Sequence, residues 1–155
     1  MATRLTVGVV SDTHGLVRPE AVEALRGSDV ILHAGDIGGS HVLQELGELA
    51  PVIPVRGNVD GGWARLLPER RRLDLGGIPV LILHDRALVG LDPFLIEAEA
   101  RIVVFGHSHQ PLAEKRKGVL WFNPGSAGPR RFELPVSVGR LVIEDGRVRH
   151  HLLTL

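Results

Sequence analysis

Five apolar runs in this chain each stop at a polar residue able to do chemistry, and no other feature limits the fold as strongly. "LTVGVVSD", Leu5 to Asp12, is β-branched and nearly all apolar until it reaches its end. Such a run reads as a strand covered on both faces, because a half-exposed strand alternates apolar and polar residues. "DVILHAGD", Asp29 to Asp36, repeats the form, and "PVIPVRGN" is a third short strand. Helical patterns separate them. "PEAVEALRG" offers Pro19 for a first turn and Gly27 for a stop. "SHVLQELGELA" offers Ser40 as N-cap, with Val42, Leu43, Leu46 and Leu49 on one face. The first third is therefore β-α-β-α-β, which favours parallel strands joined by helical crossovers.

The second half is hairpin grammar. "RRLDLGGIPVLILHD" reads as two strands around Gly76-Gly77, and further turns are expected at Lys117-Gly118 and Asp145-Gly146. "LDPFLIEAEA" reads as a short helix capped by Asp92 with Pro93 in its first turn, and "RIVVFGHSH" as a strand. The expectation is an α/β protein of two packed sheets with helices outside, folded as one domain over residues 1–155. Formal net charge is zero, which argues against broad attraction to nucleic acid or anionic membrane. No apolar run approaches the ~20 residues of a membrane span. The N-terminal apolar stretch runs straight into Ser11-Asp12-Thr13-His14, unlike a signal peptide, so a cytoplasmic location is expected. Cysteine is absent, which excludes disulfides and thiolate metal sites.

The strand ends carry Asp12 and His14, Asp36, Asn58 and Asp60, His84, and His107 and His109. In layered α/β proteins, loops beyond the carboxyl ends of strands build the site. Each piece alone is ordinary turn chemistry; together they form a donor set for a pair of metal ions. Carboxylate, imidazole and amide oxygen suit Mn, Fe, Zn or Ni. In extended backbone, residues i and i+2 point to one side, so Asp12 with His14 and His107 with His109 could each aim two ligands into one pocket. Gly35, Gly57 and Gly106 would allow tight turns or close backbone approach. Asp36 is the natural carboxylate to bridge two ions.

The series Asp12-x-His14, Gly35-Asp36, Gly57-Asn58, His84 and Gly106-His107-x-His109 resembles the calcineurin-like metallophosphoesterase superfamily. The short length and the "NPGS" at Asn123 to Ser126 are similar to the small YfcE-type phosphodiesterases of bacteria and archaea. That resemblance implies a four-layer α/β/β/α sandwich and a hydrolase acting on phosphodiesters through a metal-activated bridging hydroxide. It implies two divalent ions, Mn²⁺ first, with Zn²⁺, Fe or Ni²⁺ as alternatives. Asp12, His14 and His109 would hold one ion, Asn58, His84 and His107 the other, and Asp36 both. Turnover would depend on Asp36, Asn58 and His107, and Arg86 and Arg130 are candidates to meet a small phosphate-ester substrate.

Two positions depart from the pattern. Larger relatives commonly carry a histidine, often treated as a general acid, where this chain has Val59. The small family commonly continues past the histidine at 84 with Gly-His; this chain has Asp85-Arg86, either of which could serve the site or stand in an exposed turn. Asp60 and His33 are candidates to support ligands from behind, and Arg70-Arg71-Arg72 reads as a solvated strand edge. Trp63 and Trp121 could pack in the core, cover the site or mediate a homo-oligomer. The rival class is a non-catalytic scaffold like the retromer subunit that shares this fold. Such a scaffold need not keep every ligand, and this chain keeps them all.

Overall fold

The computed structural model describes residues 4–89 and 100–155. Strands β1 (Arg4–Val10), β2 (Val30–His33) and β3 (Val52–Pro54) lie parallel, joined by helices α1 (Pro19–Leu25) and α2 (Ser40–Gly47). The antiparallel pair β9 (Ser137–Glu144) and β10 (Arg147–Thr154) completes this sheet beside β1, giving the order β10-β9-β1-β2-β3. A second sheet contains β4 (Arg70–Leu75), β5 (Ile78–Leu83), β6 (Ile102–Val104), β7 (Leu112–Arg116) and β8 (Val119–Asn123), in the order β4-β5-β6-β8-β7. Its inner strands β5, β6 and β8 are parallel, and β4 and β7 run antiparallel at its edges.

Strand alternation explains the unbroken apolar runs. Val7 and Val9 of β1 face Val80, Ile82, Ile102 and Val104 across the space between the sheets. Val10 and Ile31 face the other way, onto Ala21 and Leu25 of α1 and Val42 and Leu46 of α2. In β5, Val80 and Ile82 point inward, while Leu81 and Leu83 join Val103 and Phe105 on the outer face of the second sheet. A strand buried on both sides has no polar side to write.

The fold is thus a mixed α/β sandwich of two sheets with helices on its outside. Four expectations need comment. Ser40 is not the N-cap of α2: it is already helical, and Gly39 precedes it without a side-chain cap. The helix read around Asp92 and Pro93 lies outside the described residues. No helix among the described residues is long and apolar enough to cross a membrane. Arg70, Arg71 and Arg72 do lie on an edge strand, β4.

Parallel order decides where chemistry collects. Strands β1, β2, β3, β5 and β6 all release their polar residues at their carboxyl ends, and the two sheets bring those ends together at one edge.

A candidate metal centre

The turns that leave these strands are not extended. Asp12, His14, Asp36, His107 and His109 all have positive φ, between 46° and 71°. The reading of two extended i, i+2 pairs is therefore corrected, and the consequence is chemical. His107 and His109 part company and reach two different clusters, whereas Asp12 and His14, also left-handed, share one. Non-glycine residues in this region are uncommon and hold strain that the surroundings must offset. Here the offset is a set of hydrogen bonds between turns: Asp12 N to Gly35 O at 3.0 Å, His14 N to Asp36 O at 3.0 Å, and Gly106 N to His84 O at 2.9 Å.

Two of the glycines are required by crowding between these turns. A Cβ at Gly57 would fall on Asp36 Oδ1 and its backbone nitrogen. A Cβ at Gly106 would fall on Ser11 Oγ and lie 2.6 Å from Asp12 Oδ2.

Asp12, His14 and His109 form one cluster, and Asp36, His84 and His107 a second, each with potential ligand atoms within 4.8 Å of one another. In the first, Asp12 Oδ1 lies 3.9 Å from His14 Nε2 and 3.4 Å from His109 Nε2. In the second, Asp36 Oδ2 lies 3.1 Å from His84 Nε2, and His107 Nδ1 lies 3.3 Å from the same nitrogen. Asp36 Oδ2 is also 3.7 Å from His14 Nε2, so this one carboxylate touches both clusters. One end of the Asn58 amide sits 3.0 Å from His84 Nε2 and 3.3 Å from both Asp36 oxygens.

Three features of the donors fit a cation. Asp12 Oδ1 and His14 Nε2, which meet in the first cluster, are buried without a hydrogen-bond partner, a costly state unless something else satisfies them. The inward end of Asn58, placed as oxygen, faces only acceptors, an arrangement that a positive ion would satisfy. His84 Nδ1 donates to Ala34 O at 2.8 Å, which fixes the tautomer and leaves Nε2 as a lone pair facing Asp36.

Protonation follows the same plan. Burial pulls the His14 pKa below its ordinary value, against the raising pull of Asp36 and Asp12, so its lone pair is available at neutral pH. Burial alone would raise Asp36, but the bonds from His84 and the Val59 N–H outweigh it and hold the carboxyl below its usual range. Burial opposes charge on His84 as well, yet the bond to Asp36 and the charges of Asp12 and Asp36 raise its pKa.

Behind the donors lies a set of braces, only partly foreseen from sequence. His33, fully buried, accepts from the Gly35 N–H at 3.1 Å through Nδ1. Its Nε2 then donates to Thr13 Oγ1 at 3.0 Å, and that hydroxyl donates to Ile37 O at 2.8 Å. One imidazole thus ties the Asp12 turn to the Asp36 turn. Asp60 accepts from the N–H groups of Ile37, Gly38 and Gly57, joining the Asp36 turn to the Asn58 turn. Sequence reading did not assign Asn123 and Ser126 a role, though their turn motif was plain. Asn123 donates to Gly106 O and Ser108 Oγ, and Ser126 donates to Asp12 O, so this loop holds both the His-x-His turn and the Asp12 turn.

His33 makes a measurable prediction. Burial pushes its pKa down from 6.5 to about 4. Between those values the unfolded chain binds a proton that the folded chain refuses, so stability falls as pH drops from 6.5 toward 4. The contribution lost by the lower end is about 3 kcal/mol. Denaturant midpoints across that range should fall more steeply for wild type than for His33→Gln. Parallel slopes would mean that His33 does not titrate there.

The flanking residues sort as follows. Asp85 does not touch His84 but faces His107 Nε2 at 4.0 Å, and it also accepts from the Ala87 N–H. Arg86 lies over the Phe105 ring at 5.3 Å, and shares a wall with His107 and Ser108. Arg130 is exposed, whereas the charge felt at His14 is that of its neighbour Arg131. Trp63 is 41% exposed, and Trp121 packs edge-on against Phe105.

Comparison with known proteins agrees with this geometry. A model of the calcineurin-like phosphoesterase superfamily domain matches residues 5–146. A probable metallophosphoesterase of Methanothermobacter thermautotrophicus is 35% identical over 148 residues, 88% of this chain and 86% of that protein. The phosphodiesterase YfcE of Escherichia coli K12 is 32% identical over 114 residues, 64% of this chain and 58% of that protein. Among solved structures, wild-type Vps29 of Entamoeba histolytica, complexed with Zn²⁺, superposes with a TM-score of 0.71 over 95% of this chain and 97% of that one. Its identity is 21%, a likeness of fold alone.

Proposed function

Because the chain belongs to the calcineurin-like phosphoesterase superfamily, we propose that it is a binuclear metal-dependent hydrolase of phosphodiester bonds. The observation that carries this reading is the pair of adjoining donor clusters with the Asp36 carboxylate in reach of both. Asp12, His14 and His109 would hold one divalent ion, and Asn58, His84 and His107 the other, with Asp36 between them. The oxygen and nitrogen donor set suits Mn²⁺ first, with Zn²⁺, Fe or Ni²⁺ as alternatives. Two such ions would lower the pKa of a water and neutralise charge on a phosphoryl group.

The chain's own residues do the rest. Ser11 and the His107 N–H both donate to Asp12 Oδ2, which aims Oδ1 into the first cluster. The Val59 N–H holds Asp36 Oδ1 and leaves Oδ2 between the clusters. Arg131, whose charge reaches His14, adds positive potential at the mouth, and Arg130 stands next to it in the chain for an incoming phosphate. A cavity of about 330 Å³ opens beside the second cluster, walled by Asn58, His84, Asp85 and His107 and by the Arg56–Glu69 ion pair. It is large enough for the group that departs.

Val59 directs the choice of ester. It is 53% exposed beside Asn58 and has no proton to give. Without a general acid at that position the leaving oxygen must depart unprotonated, so the weakly basic leaving groups of aryl diesters should be released much faster than those of alkyl diesters. Val59→His should narrow that gap by about 10²-fold, the low end of what a positioned acid contributes. Equal wild-type rates on the two ester types would remove Val59 from the account.

The decisive assay is hydrolysis of an activated aryl phosphodiester by chelator-stripped protein to which metal is returned. Metal uptake alone does not separate catalysis from scaffolding, since a Vps29 has been crystallised with Zn²⁺. Turnover that follows metal addition favours the enzyme; tight metal binding with no turnover on any diester favours the scaffold.

A further inference from the structure

The loop between β8 and β9 is pinned at its base and bare at its tip. Its start lies on the Asp12 turn: Ala127 N donates to Ser11 O at 3.1 Å, and a Cβ at Gly128 would fall on the backbone oxygens of Asp12 and Thr13. The Arg18 guanidinium donates to Gly128 O at 3.2 Å. The far end is held by Ser137 N to Ser126 O at 3.0 Å and by Leu155 N to Val136 O at 2.8 Å. Between these anchors Pro129, Arg130, Arg131, Phe132 and Glu133 are all exposed.

Phe132 is the anomaly of that tip. It is 91% exposed, more than any other large apolar residue among those described. Its φ is 54°, in the left-handed region, which a bulky side chain enters only against steric cost. Leu134 N donates to Arg131 O at 3.2 Å and closes the turn over this residue. Glycine or asparagine would make the same turn without that cost. At such exposure the ring packs on almost nothing of its own chain, so neither the strain nor the wet apolar surface is offset from within. Residues held in strained backbone gather at ligand clamps.

The surroundings narrow the occupant. Phe132 follows Gly128 by four residues, which span at most about 14 Å, so it stands within about that distance of the Asp12 turn. The charge of Arg131 is felt at His14, and exposed Leu16 stands two residues past His14. Cations and bare apolar groups thus border the first donor cluster together. A phosphate ester with a flat apolar arm meets both, its phosphate by the arginines and its ring on Phe132. The departing group has the cavity beside the second cluster. The loop borders the first cluster, on the side left to the arm that stays.

We propose that Phe132 is a specificity-determining residue whose ring stacks on a flat aromatic group, such as a nucleobase, carried by the ester arm that hydrolysis retains. The proposal rests on the phosphodiesterase reading for its reaction, while the stacking contact is measurable without turnover. An aromatic face on a protruding turn accepts any base, since every base has a π-face. Binding covers the ring and removes the apolar surface that the free chain leaves in water.

The test compares two diesters with one leaving group, p-nitrophenyl methyl phosphate and the p-nitrophenyl ester of thymidylate. Wild-type kcat/KM should favour the thymidylate ester. Phe132→Ala should reduce that preference about tenfold, through KM rather than kcat, within the range that one lost base–aromatic stack costs. Phe132→Trp should keep it. Calorimetry adds a readout that needs no turnover: Mn²⁺-loaded protein should bind thymidylate more tightly than methyl phosphate, and Phe132→Ala should shrink the difference about tenfold. Phe132→Gly should lose the preference as well, while its Tm stays level or rises, because glycine takes the left-handed turn freely.

Failure of the reaction and failure of this inference are separable. If neither diester is hydrolysed, the phosphodiesterase reading falls and the binding comparison still decides the role of Phe132. Absence of thymidylate binding, affinity equal to that for methyl phosphate, or a difference that survives Phe132→Ala overturns the proposal. A Tm that falls in Phe132→Gly does so too, since the ring would then be held by contacts within the chain. So does a wild-type dimer that becomes monomeric in Phe132→Ala, by placing the ring between two copies.

Discussion

Asp36→Ala is expected to reduce metal-dependent hydrolysis of an aryl phosphodiester on the order of 10³-fold or more, the scale of several kcal/mol of lost charge stabilisation. The expectation rests on one oxygen. Asp36 Oδ2 lies 3.1 Å from His84 Nε2 and 3.7 Å from His14 Nε2, so its removal opens both clusters at once. The other oxygen anchors the Val59 N–H at 3.0 Å, so the Asn58 turn should loosen as well. Metal content by mass spectrometry should fall in the same variant, whereas a purely structural role would leave it intact. A variant that keeps both its metal and its rate would place the shared ligand elsewhere.

Adding Mn²⁺ to stripped protein should raise Tm on the order of 10 °C at saturating metal. Ligand at a thousandfold excess over Kd contributes about 4 kcal/mol, and each kcal/mol moves a chain of this size by about 2–4 °C. The structural reason is the two buried atoms without partners that belong to the first cluster, Asp12 Oδ1 and His14 Nε2. A metal-free fold has to bury these groups unsatisfied, and an ion removes that cost. Differential scanning calorimetry of wild type and Asp12→Ala checks the claim, since the shift should largely vanish in the variant. A wild-type Tm indifferent to Mn²⁺, Zn²⁺, Fe²⁺ and Ni²⁺ alike would sink it.

Much of the fold was legible because burial on two faces leaves a plain mark. "LTVGVV" and "VILH" are apolar throughout since one side meets the opposite sheet and the other meets helices. The hairpin turns at Gly76-Gly77, Lys117-Gly118 and Asp145-Gly146 were legible because positive φ there demands residues that tolerate it. The start of α2 was misread because Ser40 has the chemistry of a cap. Only the path of the chain through Gly39 puts it one residue too far inside.

The site divides along a similar line. The residue types that could bind metal were plain, since Asp, His and Asn ending apolar strands leave few other readings. The backbone that aims them was not plain. Aspartate and histidine give no local sign that Asp12, His14, Asp36, His107 and His109 adopt left-handed geometry, because that geometry is held by bonds to distant turns. His33 and Asp60 were legible as candidate supports, but the turns they join were hidden for the same reason, as were the roles of Asn123 and Ser126. His33 sits inside a strand, and Asn123 and Ser126 belong to a turn far along the chain. What they do depends on which turns lie against them.

By itself, then, the sequence determined the donors: which side chains stand at strand ends, and that oxygen and nitrogen rather than sulfur would meet an ion. The tertiary structure alone decided how they divide. One residue separates His107 from His109, yet they join different clusters, one with Asp36 and His84 and the other with Asp12 and His14. Asp36 reaches both clusters because parallel strands of two sheets end at one edge. Spacing along a chain cannot encode that meeting, since it is set by contacts between segments that the sequence keeps far apart.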